Sequence, residues 1–465
     1  MPATPHSLRE PANSSRRRFL TASLAAGAAL ALTPARLVRA AEVAPEGRKL
    51  KVALVGIGNR GNDLLKAFRD TGMVEYTAFC DVDYLGEHTA ESRQLYPDVP
   101  HYADFREMFA KAADTFEAVI IATPDFTHYV VAMHAMRAGK HVYLEKPLAH
   151  TFDEVERLMA QAAKSGVVTQ MGNQGHSGNN FHQFKAWQEA GIIADVTRVD
   201  MFMSSPRRWH GWEVKGFDSG DAVPATINWD LWHGNKTVHP YSPRLHPGNW
   251  RGWFAYGNGA FGDWGPHILD TCHRFLSLGL PHTIEAVKRD GPNEFIFPQA
   301  TTIRFDFAAR GDMPAVEVFW YDGVNNLPPL PAELGEKPAF TQKNGKFIYS
   351  KKLTFLGGTH GDTLRIIPEE KMRELGPTLP KIKGGFSDHF QNFVLACLGR
   401  EETKSPFHIS GPLSQVFLLG VIAQHLGGKL EFDPVAKRFK NNARANDLLT
   451  MEPPRAGWEG YFSRA

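Results

Sequence analysis

The sequence predicts an α/β fold with a doubly wound parallel sheet in the first part of the chain. Buried-strand runs alternate there with amphipathic, helix-like stretches, first after Leu50 and again after Ala118. Alternation of this kind implies parallel strands with ligands at their carboxyl ends. The composition agrees, because 43% hydrophobic and 22% charged residues are ordinary globular values.

The length of the chain indicates its number of domains, and its charge indicates which partners it can bind. A chain of 465 residues predicts two or three domains at about 150 residues each. The net charge of +2 hides a local +5 in the first forty residues, so the remainder is near −3. A nearly neutral body lacks the basic footprint of a general nucleic-acid binder. The three cysteines predict no disulfide framework.

The first forty residues predict a removable export signal. A basic stretch containing Arg16 and Arg17 precedes an apolar, Ala-rich run (residues 21–32), and small residues end at Ala40. The paired arginines before Phe-Leu resemble a twin-arginine signal, so we expect a periplasmic or secreted protein without a membrane anchor. The alternatives are a disordered basic tail and an amphipathic anchor.

A glycine-rich turn follows the first strand run directly. Gly56, Gly58 and Gly61 stand in the G-x-G-x-x-G spacing, with Asn59 and Arg60 inside the turn. The first glycine permits the tight turn, the second lets backbone approach a pyrophosphate, and the third lets helix pack on strand. The following helix N-terminus attracts phosphates. This context predicts a dinucleotide site rather than an ordinary glycine turn.

Asp81 ends the next strand run and lies twenty residues after Gly61. A carboxylate at this distance accepts hydrogen bonds from the adenosine ribose and repels a 2′-phosphate. The sequence therefore predicts a Rossmann domain that binds NAD in preference to NADP. Asp83 lies near the same strand end and is the second candidate for this role.

Further strand ends carry residues where such a sheet places its ligands. Thr123 and Pro124 follow one strand, Glu145 and Lys146 the next, and Asn173 the third. The predicted cofactor-binding residues are Gly56, Gly58, Asn59, Arg60, Gly61, Asp81, Thr123, Pro124, His128, Glu145, Lys146 and Asn173.

Three stretches make the chain resemble a known family. They are the glycine turn (residues 56–61), the Ala-Thr-Pro-Asp-Phe-Thr-His run (residues 122–128), and residues 139–148 with their Glu-Lys-Pro triplet. On these motifs the chain resembles the Gfo/Idh/MocA oxidoreductases from about Leu50 to its end.

The resemblance implies two domains after the signal peptide (residues 1–40). A Rossmann domain is expected at residues 48–172. A carboxyl-terminal α/β domain with an open, mostly antiparallel sheet is expected at residues 173–465 and carries the substrate side. The resemblance also implies a homo-oligomer through this second sheet.

Aromatic and histidine residues concentrate after the nucleotide-binding part. The segment is also rich in Pro and Gly, which predicts ordered loops. Aromatic surfaces suit stacking against sugar rings, but tryptophans also fill cores and subunit contacts, and both interpretations stay open for the cluster. The predicted substrate-binding residues are His176, Trp209, Trp232, Tyr241, Trp250 and Arg251.

Asp263 and His267 are four residues apart and share a face if they lie on a helix. Alternatively, Asp263 only caps that helix. The resemblance implies that an Asp-x-x-x-His pair lies here beside the nicotinamide and works with Lys146. His267 can accept the hydroxyl proton. Lys146 can stabilise the alkoxide, and Asp263 can orient His267 or bind a neighbouring hydroxyl.

The leading prediction is an exported oxidoreductase that transfers hydride between a sugar or glycoside hydroxyl carbon and tightly bound NAD. Free NAD is scarce outside the cytoplasm, so we expect the cofactor to be loaded before export and retained. Arg60 and the Thr123-Pro124 turn are candidate clamps, although an isolated arginine in a loop is usually solvated.

Two other functions are carried as alternatives. One is an NAD-dependent glycoside hydrolase or lyase that oxidises the sugar ring transiently, which the Asp263-to-His267 spacing fits less well. The other is a non-catalytic sugar-binding or sensing module with structural NAD, against which the intact Lys146 argues. No H-E-x-x-H or Cys-His spacing occurs, so no metal site is predicted.

Overall fold

The structure is a computed structural model that describes residues 45–205, 208, 210–218, 220–335, 341–382, 384–450 and 452–462. The predicted signal peptide and Trp209 lie outside these residues. Val43–Ala465 form one compact unit, which contains both sheets of the protein.

The first sheet has six strands, and all of them are parallel. They are β1 (Leu50–Val55), β2 (Val74–Cys80), β3 (His101–Tyr102), β4 (Ala118–Ile121), β5 (His141–Leu144) and β6 (Thr169–Met171). Their order is β3-β2-β1-β4-β5-β6, with β1 paired to both β2 and β4. The order therefore reverses between β1 and β4, the position where doubly wound sheets bind ligands.

Helices cover both faces of this sheet. They are α1 (Arg60–Asp70), α2 (Ala90–Leu95), α3 (Phe105–Ala112), α4 (His128–Arg137) and α5 (Phe152–Ser165). Alternate residues of β1 point to opposite faces: Leu54 packs in one core cluster with Phe68 of α1, and Val55 packs in another with Val130 of α4. The predicted doubly wound architecture is confirmed.

The second sheet has nine strands. They are β7 (Val196–Met203), β8 (Thr283–Asp290), β9 (Ala300–Phe307), β10 (Val316–Asp322), β11 (Asn344–Ser350), β12 (Thr354–Gly357), β13 (Arg365–Ile367), β14 (Gly428–Asp433) and β15 (Arg438–Phe439). Their order is β13-β12-β11-β7-β10-β9-β8-β14-β15. Within this sheet, only β7 and β10 pair in parallel among the described strands, so the expected open, mostly antiparallel sheet is confirmed.

The remaining helices follow the parallel-sheet part along the chain. They are α6 (Asn179–Glu189), α7 (Trp229–Trp232), α8 (Gly259–Ile268), α9 (Asp270–Phe275), α10 (Glu369–Leu375), α11 (His389–Cys397), α12 (Phe407–Leu426) and α13 (Ala443–Asp447). Helix α12 packs against α5 and α8. It alone among the described helices is long and apolar enough to cross a membrane, but 72% of its apolar window is buried inside the protein. This burial is typical of a core helix.

The aromatic segment (residues 220–257) folds mostly as loops, as predicted. Its large side chains form a buried cluster of their own that reaches Phe126 in the parallel-sheet part. Trp232 packs edge-on against Phe126, with ring centroids 5.1 Å apart. The segment therefore joins the two parts of the protein beside the carboxyl end of β4.

Candidate active site

The glycine turn between β1 and α1 passes so close to β4 that side chains are excluded. Gly56 has a φ of +82°, and a Cβ there would lie 2.8 Å from the backbone carbonyl carbon of Ala122. A Cβ on Gly61 would lie 1.8 Å from the carbonyl oxygen of Gly56. The turn therefore delivers the N-terminus of α1 to the sheet edge, as phosphate binding requires.

Two backbone N–H groups fix the carboxylate of Asp81. The N–H of Ile57 donates to Oδ2 at 2.9 Å, and the N–H of Asp83 donates to Oδ1 at 2.9 Å. Each carboxylate oxygen keeps a further lone pair, so Asp81 can still accept from ribose hydroxyls. The side chain of Asp83 contacts His246 instead, at 2.8 Å.

A cleft with an empty volume of about 900 Å³, named here the nucleotide groove, runs along the glycine turn and the adjacent strand ends. The predicted cofactor-binding residues that line it are Gly56, Gly58, Asn59, Arg60, Asp81, Thr123 and Pro124. The hydroxyl oxygen of Thr123 is buried without a hydrogen-bond partner in the described part of the chain. A buried unpaired hydroxyl beside a glycine cradle fits a polar ligand such as a dinucleotide.

A second cavity adjoins the groove and contains Lys146, Asp263 and His267, the three predicted catalytic residues. It is named here the lysine pocket, and its empty volume is about 1770 Å³ including space open to solvent. The residues that line both cavities are Asn59, Arg60, His88, Ala122, Thr123 and Arg251. The predicted catalytic residues therefore lie where the nucleotide groove opens into a larger chamber.

Asp263 on α8 is bound by two cationic side chains. Lys146 Nζ donates to Oδ1 at 2.6 Å and to the Asp263 carbonyl oxygen at 2.9 Å. Arg208 Nε donates to Oδ2 at 2.8 Å. Burial alone would raise the pKa of the Asp263 carboxyl, but the charges of Lys146 and Arg208 hold it well below its usual range. Asp263 is therefore an ionised anchor that fixes the lysine in the pocket.

His267 lies one helical turn after Asp263 and stacks on His360, with ring centroids 3.8 Å apart and planes 21° from parallel. Its Nδ1 is buried and has no hydrogen-bond partner among the residues described. Burial, aided by the charge of Lys146, holds the pKa of His267 well below that of free imidazole. The ring is therefore neutral at neutral pH, and the same surroundings make it a weaker base than free imidazole.

Arg60 is bound within the protein. Its Nε donates to Oε1 of Glu145 at 2.9 Å, and its side chain also reaches Gln174. Burial disfavours the guanidinium charge, but Glu145 outweighs this, so the pKa of Arg60 lies above its ordinary value. The pair fixes the start of α1 to the end of β5 between the two cavities.

His128 holds two loops together. Its Nδ1 and Nε2 each lie 2.8 Å from a backbone carbonyl oxygen, those of Pro147 and Thr123 respectively. The ring is 1% exposed. His128 borders the lysine pocket, and its contacts position the chain after β4 and β5 rather than presenting a free nitrogen to a ligand.

Asn173 and His176 lie away from both cavities, contrary to expectation. Asn173 Nδ2 donates to Asp270 Oδ1 at 3.1 Å, and His176 Nδ1 lies 2.6 Å from the same oxygen. Ser405 donates to the Asn173 side-chain oxygen at 2.8 Å. These buried contacts give both residues a structural role, because they tie the end of β6 to α9.

The aromatic residues predicted to bind substrate, so far as the structure describes them, also lie outside the lysine pocket. Trp232 and Trp250 are buried and line the nucleotide groove instead of the lysine pocket. Tyr241 lines neither cavity and packs edge-on against Trp229. Of the predicted substrate-binding residues that the structure describes, only Arg251 borders the lysine pocket. The core interpretation of these tryptophans therefore fits the geometry better than sugar stacking.

Sequence reasoning missed Arg208 and His360. Arg208 has a φ of +67° and lies in an arginine pair within the aromatic-rich region, which was a usable signal. His360 lies between glycines after β12, and its N–H donates to the carbonyl oxygen of His267 at 3.2 Å. A single histidine so far along the chain carried no signal.

Family profiles match two consecutive parts of the chain. Residues 50–173 match the Gfo/Idh/MocA description "Oxidoreductase family, NAD-binding Rossmann fold". Residues 179–293 match the companion description "Oxidoreductase family, C-terminal alpha/beta domain". Together the matches cover just over half of the chain and identify the first domain as an NAD-binding Rossmann domain.

Two curated relatives show partial similarity. A glycosyl hydrolase family 109 protein 2 of Shewanella sp. (strain ANA-3) is 32% identical over 168 residues, covering 32% of this chain and 36% of that protein. Inositol 2-dehydrogenase of Salmonella typhimurium is 28% identical over 204 residues, covering 42% and 58% respectively. The chain thus spans less than two thirds of either relative.

Solved structures share the fold over most of the chain. The WlbA dehydrogenase from Bordetella pertussis, in complex with NADH and UDP-GlcNAcA, has a TM-score of 0.55 and 16% identity. The alignment covers 83% of this chain and 99% of that one. At 16% sequence identity, this structural similarity supports the fold of the chain and nothing beyond it.

Proposed function

Because the chain belongs to the Gfo/Idh/MocA oxidoreductase family, we propose that it transfers hydride between NAD and a hydroxyl-bearing carbon of a sugar or glycoside. The observation that carries the proposal is the meeting of Lys146, Asp263 and His267 where the nucleotide groove opens into the lysine pocket. Each has the chemistry that alcohol oxidation needs at that point.

The chain's own residues manage the proton and the developing charge. His267 is neutral and accepts the hydroxyl proton. Lys146 donates a hydrogen bond to the same oxygen and stabilises alkoxide character, while Asp263 holds its ammonium group in place. When NAD is bound in the groove, it supplies the acceptor for the hydride that leaves carbon as the carbonyl forms. Reduction reverses the same steps.

Polar groups around the lysine pocket favour a polyhydroxylated substrate. Hydrogen-bonding side chains, including Asn249, Gln174 and Arg251, make up much of the lining of the pocket. Similarity to inositol 2-dehydrogenase and the shared fold with a dehydrogenase bound to a sugar nucleotide support the same class. The space of the chamber accommodates a sugar together with an attached group.

Redox-neutral glycoside cleavage is the second candidate, and similarity to a glycosyl hydrolase family 109 protein favours it. In that reaction, a ring ketone made at the first step acidifies the neighbouring C–H bond. The glycosidic group is then eliminated, water adds, and the hydride returns to carbon. The redox steps of this candidate use His267 and Lys146 in the same roles, but the Asp263-to-His267 spacing fits it less well than the dehydrogenase.

Mass spectrometry of the products from a glycoside panel separates the candidates. The purified protein with its bound cofactor is incubated with each glycoside, with and without a ketose as hydride acceptor. Net dehydrogenation yields a product lighter by one molecule of hydrogen, and hydrolysis yields the free aglycone. An unchanged panel contradicts both reactions and supports a non-catalytic sugar-binding module.

We also propose that the protein is exported through residues 1–40 and assembles through its second sheet. On one face of that sheet, the guanidinium carbon of Arg198 lies 4.3 Å from the ring centroid of Phe319. The guanidinium carbon of Arg304 lies 5.9 Å from the same centroid. Such planar, amphipathic groups suit a subunit contact. Light scattering of the purified protein reports the oligomeric state, and a monomer at micromolar concentration contradicts the assembly.

A further inference from the structure

Three metal-ligating side chains converge beside the nucleotide groove and take no part in the proposed reaction. Asp83 follows β2, His88 lies in the short turn Glu87–Thr89, and His246 lies in the aromatic segment. Oδ2 of Asp83 is 2.8 Å from Nε2 of His246 and 3.7 Å from Nδ1 of His88. The three ligand atoms all lie within 4.8 Å of one another.

Asp83 and His246 are buried and His88 is half-buried, and the cluster leaves polar atoms unsatisfied. The side chains of Asp83, His246 and His88 are 7%, 10% and 14% exposed. Oδ1 of Asp83 and Nδ1 of His246 are buried without a hydrogen-bond partner anywhere in the described ranges. A buried carboxylate oxygen without a donor is costly unless a cation meets it. The Asp83 carboxylate therefore has an unpaired oxygen that a cation can satisfy.

The position of His88 is built into the backbone. A Cβ on Gly58 would lie 2.1 Å from Cδ2 of His88, and one on Gly86 would lie 2.8 Å from its Cε1. The imidazole fits here only because both positions are glycine. Its ring stands at 76° to that of His246, with centroids 5.2 Å apart, so the two rings direct one nitrogen each toward Asp83.

We propose that Asp83, His88 and His246 form a zinc site. Two imidazole nitrogens and one carboxylate oxygen are a common donor set for Zn²⁺, whereas Mg²⁺ and Ca²⁺ prefer oxygen ligands throughout. Three protein ligands leave the fourth tetrahedral position to water.

The zinc site joins the two parts of the protein at one wall of the nucleotide groove. Asp83 and His88 come from the parallel-sheet part. His246 comes from the aromatic segment, which also contributes Pro247 and Trp250 to the groove lining. Metal held here slows separation of that wall and hence release of bound dinucleotide. This consequence rests on the proposed function, since it needs NAD in the groove, whereas the site itself does not.

Zinc content and zinc binding test the site without any assay of turnover. Plasma mass spectrometry of the dialysed full-length protein is expected to find zinc in amounts equal to the protein. Calorimetric titration of ZnCl₂ into chelator-treated protein is expected to show saturable binding. His246→Gln and His88→Gln each remove a ligand, so affinity falls by more than the roughly 10–100-fold that an outer partner contributes. The exposed His282→Gln serves as the matched control and retains zinc.

The proposal is overturned if the purified protein lacks zinc and ZnCl₂ binds no more tightly than to the folded His88→Gln variant. The effect of zinc on NAD retention is tested separately. The chelator dipicolinate should accelerate NAD release from the unmodified protein and not from the His246→Gln variant. Equal release rates with and without chelator overturn the retention role. Zinc binding without any sugar turnover would leave the site standing and contradict the proposed function instead.

Discussion

The charge balance around Asp263 explains how a lysine can act in a buried pocket. Lys146 and Arg208 share one carboxylate, and both distances are within hydrogen-bond range. The cluster therefore keeps one positive charge in excess, directed at the chamber where an alkoxide develops. His267 is kept neutral by the same surroundings, so the acid–base group and the electrostatic group are distinct residues.

Removing either residue should reduce turnover strongly. Lys146→Ala and His267→Ala are each expected to lower kcat by about a hundred- to ten-thousand-fold, the usual contribution of a positioned acid or base. The far-ultraviolet circular dichroism and the bound NAD should persist. The exposed His282→Ala is the control and should keep the full rate. Unchanged kcat in both pocket variants would remove them from the reaction.

Asp81 should decide between the two dinucleotides. Asp81→Ala removes the ribose contact and the repulsion of a 2′-phosphate, so NAD binds more weakly and NADP is tolerated better. Calorimetry on protein stripped of cofactor measures both affinities, and Asp98→Ala, at an exposed turn, is the matched control. Tighter binding of NADP than NAD by the unmodified protein would contradict the assignment.

The sequence located residues whose neighbours are close along the chain. The glycine turn, Asp81 and Lys146 each follow a strand end and could be placed from local pattern, whereas the roles of Asp263 and His267 rest on the family resemblance. Other positions depend on distant packing. His360 reaches His267 from beyond β12 only because Gly175 lets the backbones touch; a Cβ there would lie 2.6 Å from the His360 carbonyl carbon.

At the scale of elements, helix α8 holds Asp263 and His267, and helix α12 packs against it. A Cβ on Gly265 of α8 would lie 2.6 Å from Cε1 of Phe417, which belongs to α12. On the other side, Gly420 of α12 admits the ring of Phe261. The two helices thus approach closely through paired glycines and phenylalanines, which sets the height of Asp263 in the pocket.

Adding a methyl group at this contact should destabilise the protein and disturb the site. Gly265→Ala forces Phe417 or the helix to move, at a cost of about 1–3 kcal/mol for overpacking a core. Thermal unfolding should shift to lower temperature, and kcat should fall with it. Gly376→Ala, where a Cβ meets open space, is the control and should leave both unchanged. A Gly265→Ala variant of unaltered stability would show that α8 is not tightly packed against α12.

Element boundaries show where local rules were insufficient. Local rules place the start of this helix after Pro412, since the apolar run begins at Leu413, but α12 starts at Phe407 and continues through Pro412. Proline in a helix interior removes a hydrogen bond and clashes with the preceding turn, so the sequence indicated a start after it. Burial of the first turn, including Phe407 at 0% exposure, outweighs that penalty. Tertiary packing, absent from local sequence, decided the boundary.

At the scale of the whole molecule, the nucleotide groove is completed only by the second part of the chain. Trp232 and Trp250 of the aromatic segment and Trp458 near the carboxyl end form its far wall. By itself, the parallel-sheet part would supply the glycine turn and Asp81 but not the wall opposite them. An enclosing wall suits a cofactor that is loaded once and retained, which an exported redox protein requires.

Export itself should depend on the paired arginines. Replacing Arg16 and Arg17 together by lysine should abolish translocation, because the twin-arginine pathway reads that pair. The mature protein should begin near Ala41, as found by amino-terminal sequencing of the exported fraction. Arg9→Lys keeps the pair and is the control. Normal export of the double variant with an intact amino terminus would show that residues 1–40 are not such a signal.

The absorbance of bound nicotinamide tests the central claim most directly. Purified protein, dialysed to remove free cofactor, is mixed with sugars and glycosides while reduced-nicotinamide absorbance is followed. We expect the absorbance to rise with a hydroxyl substrate, to fall again when a keto-sugar is added, and to stay flat in His267→Ala with the same bound NAD. A nicotinamide signal that responds to no carbohydrate, in protein shown by denaturation to contain NAD, would contradict hydride transfer at this site.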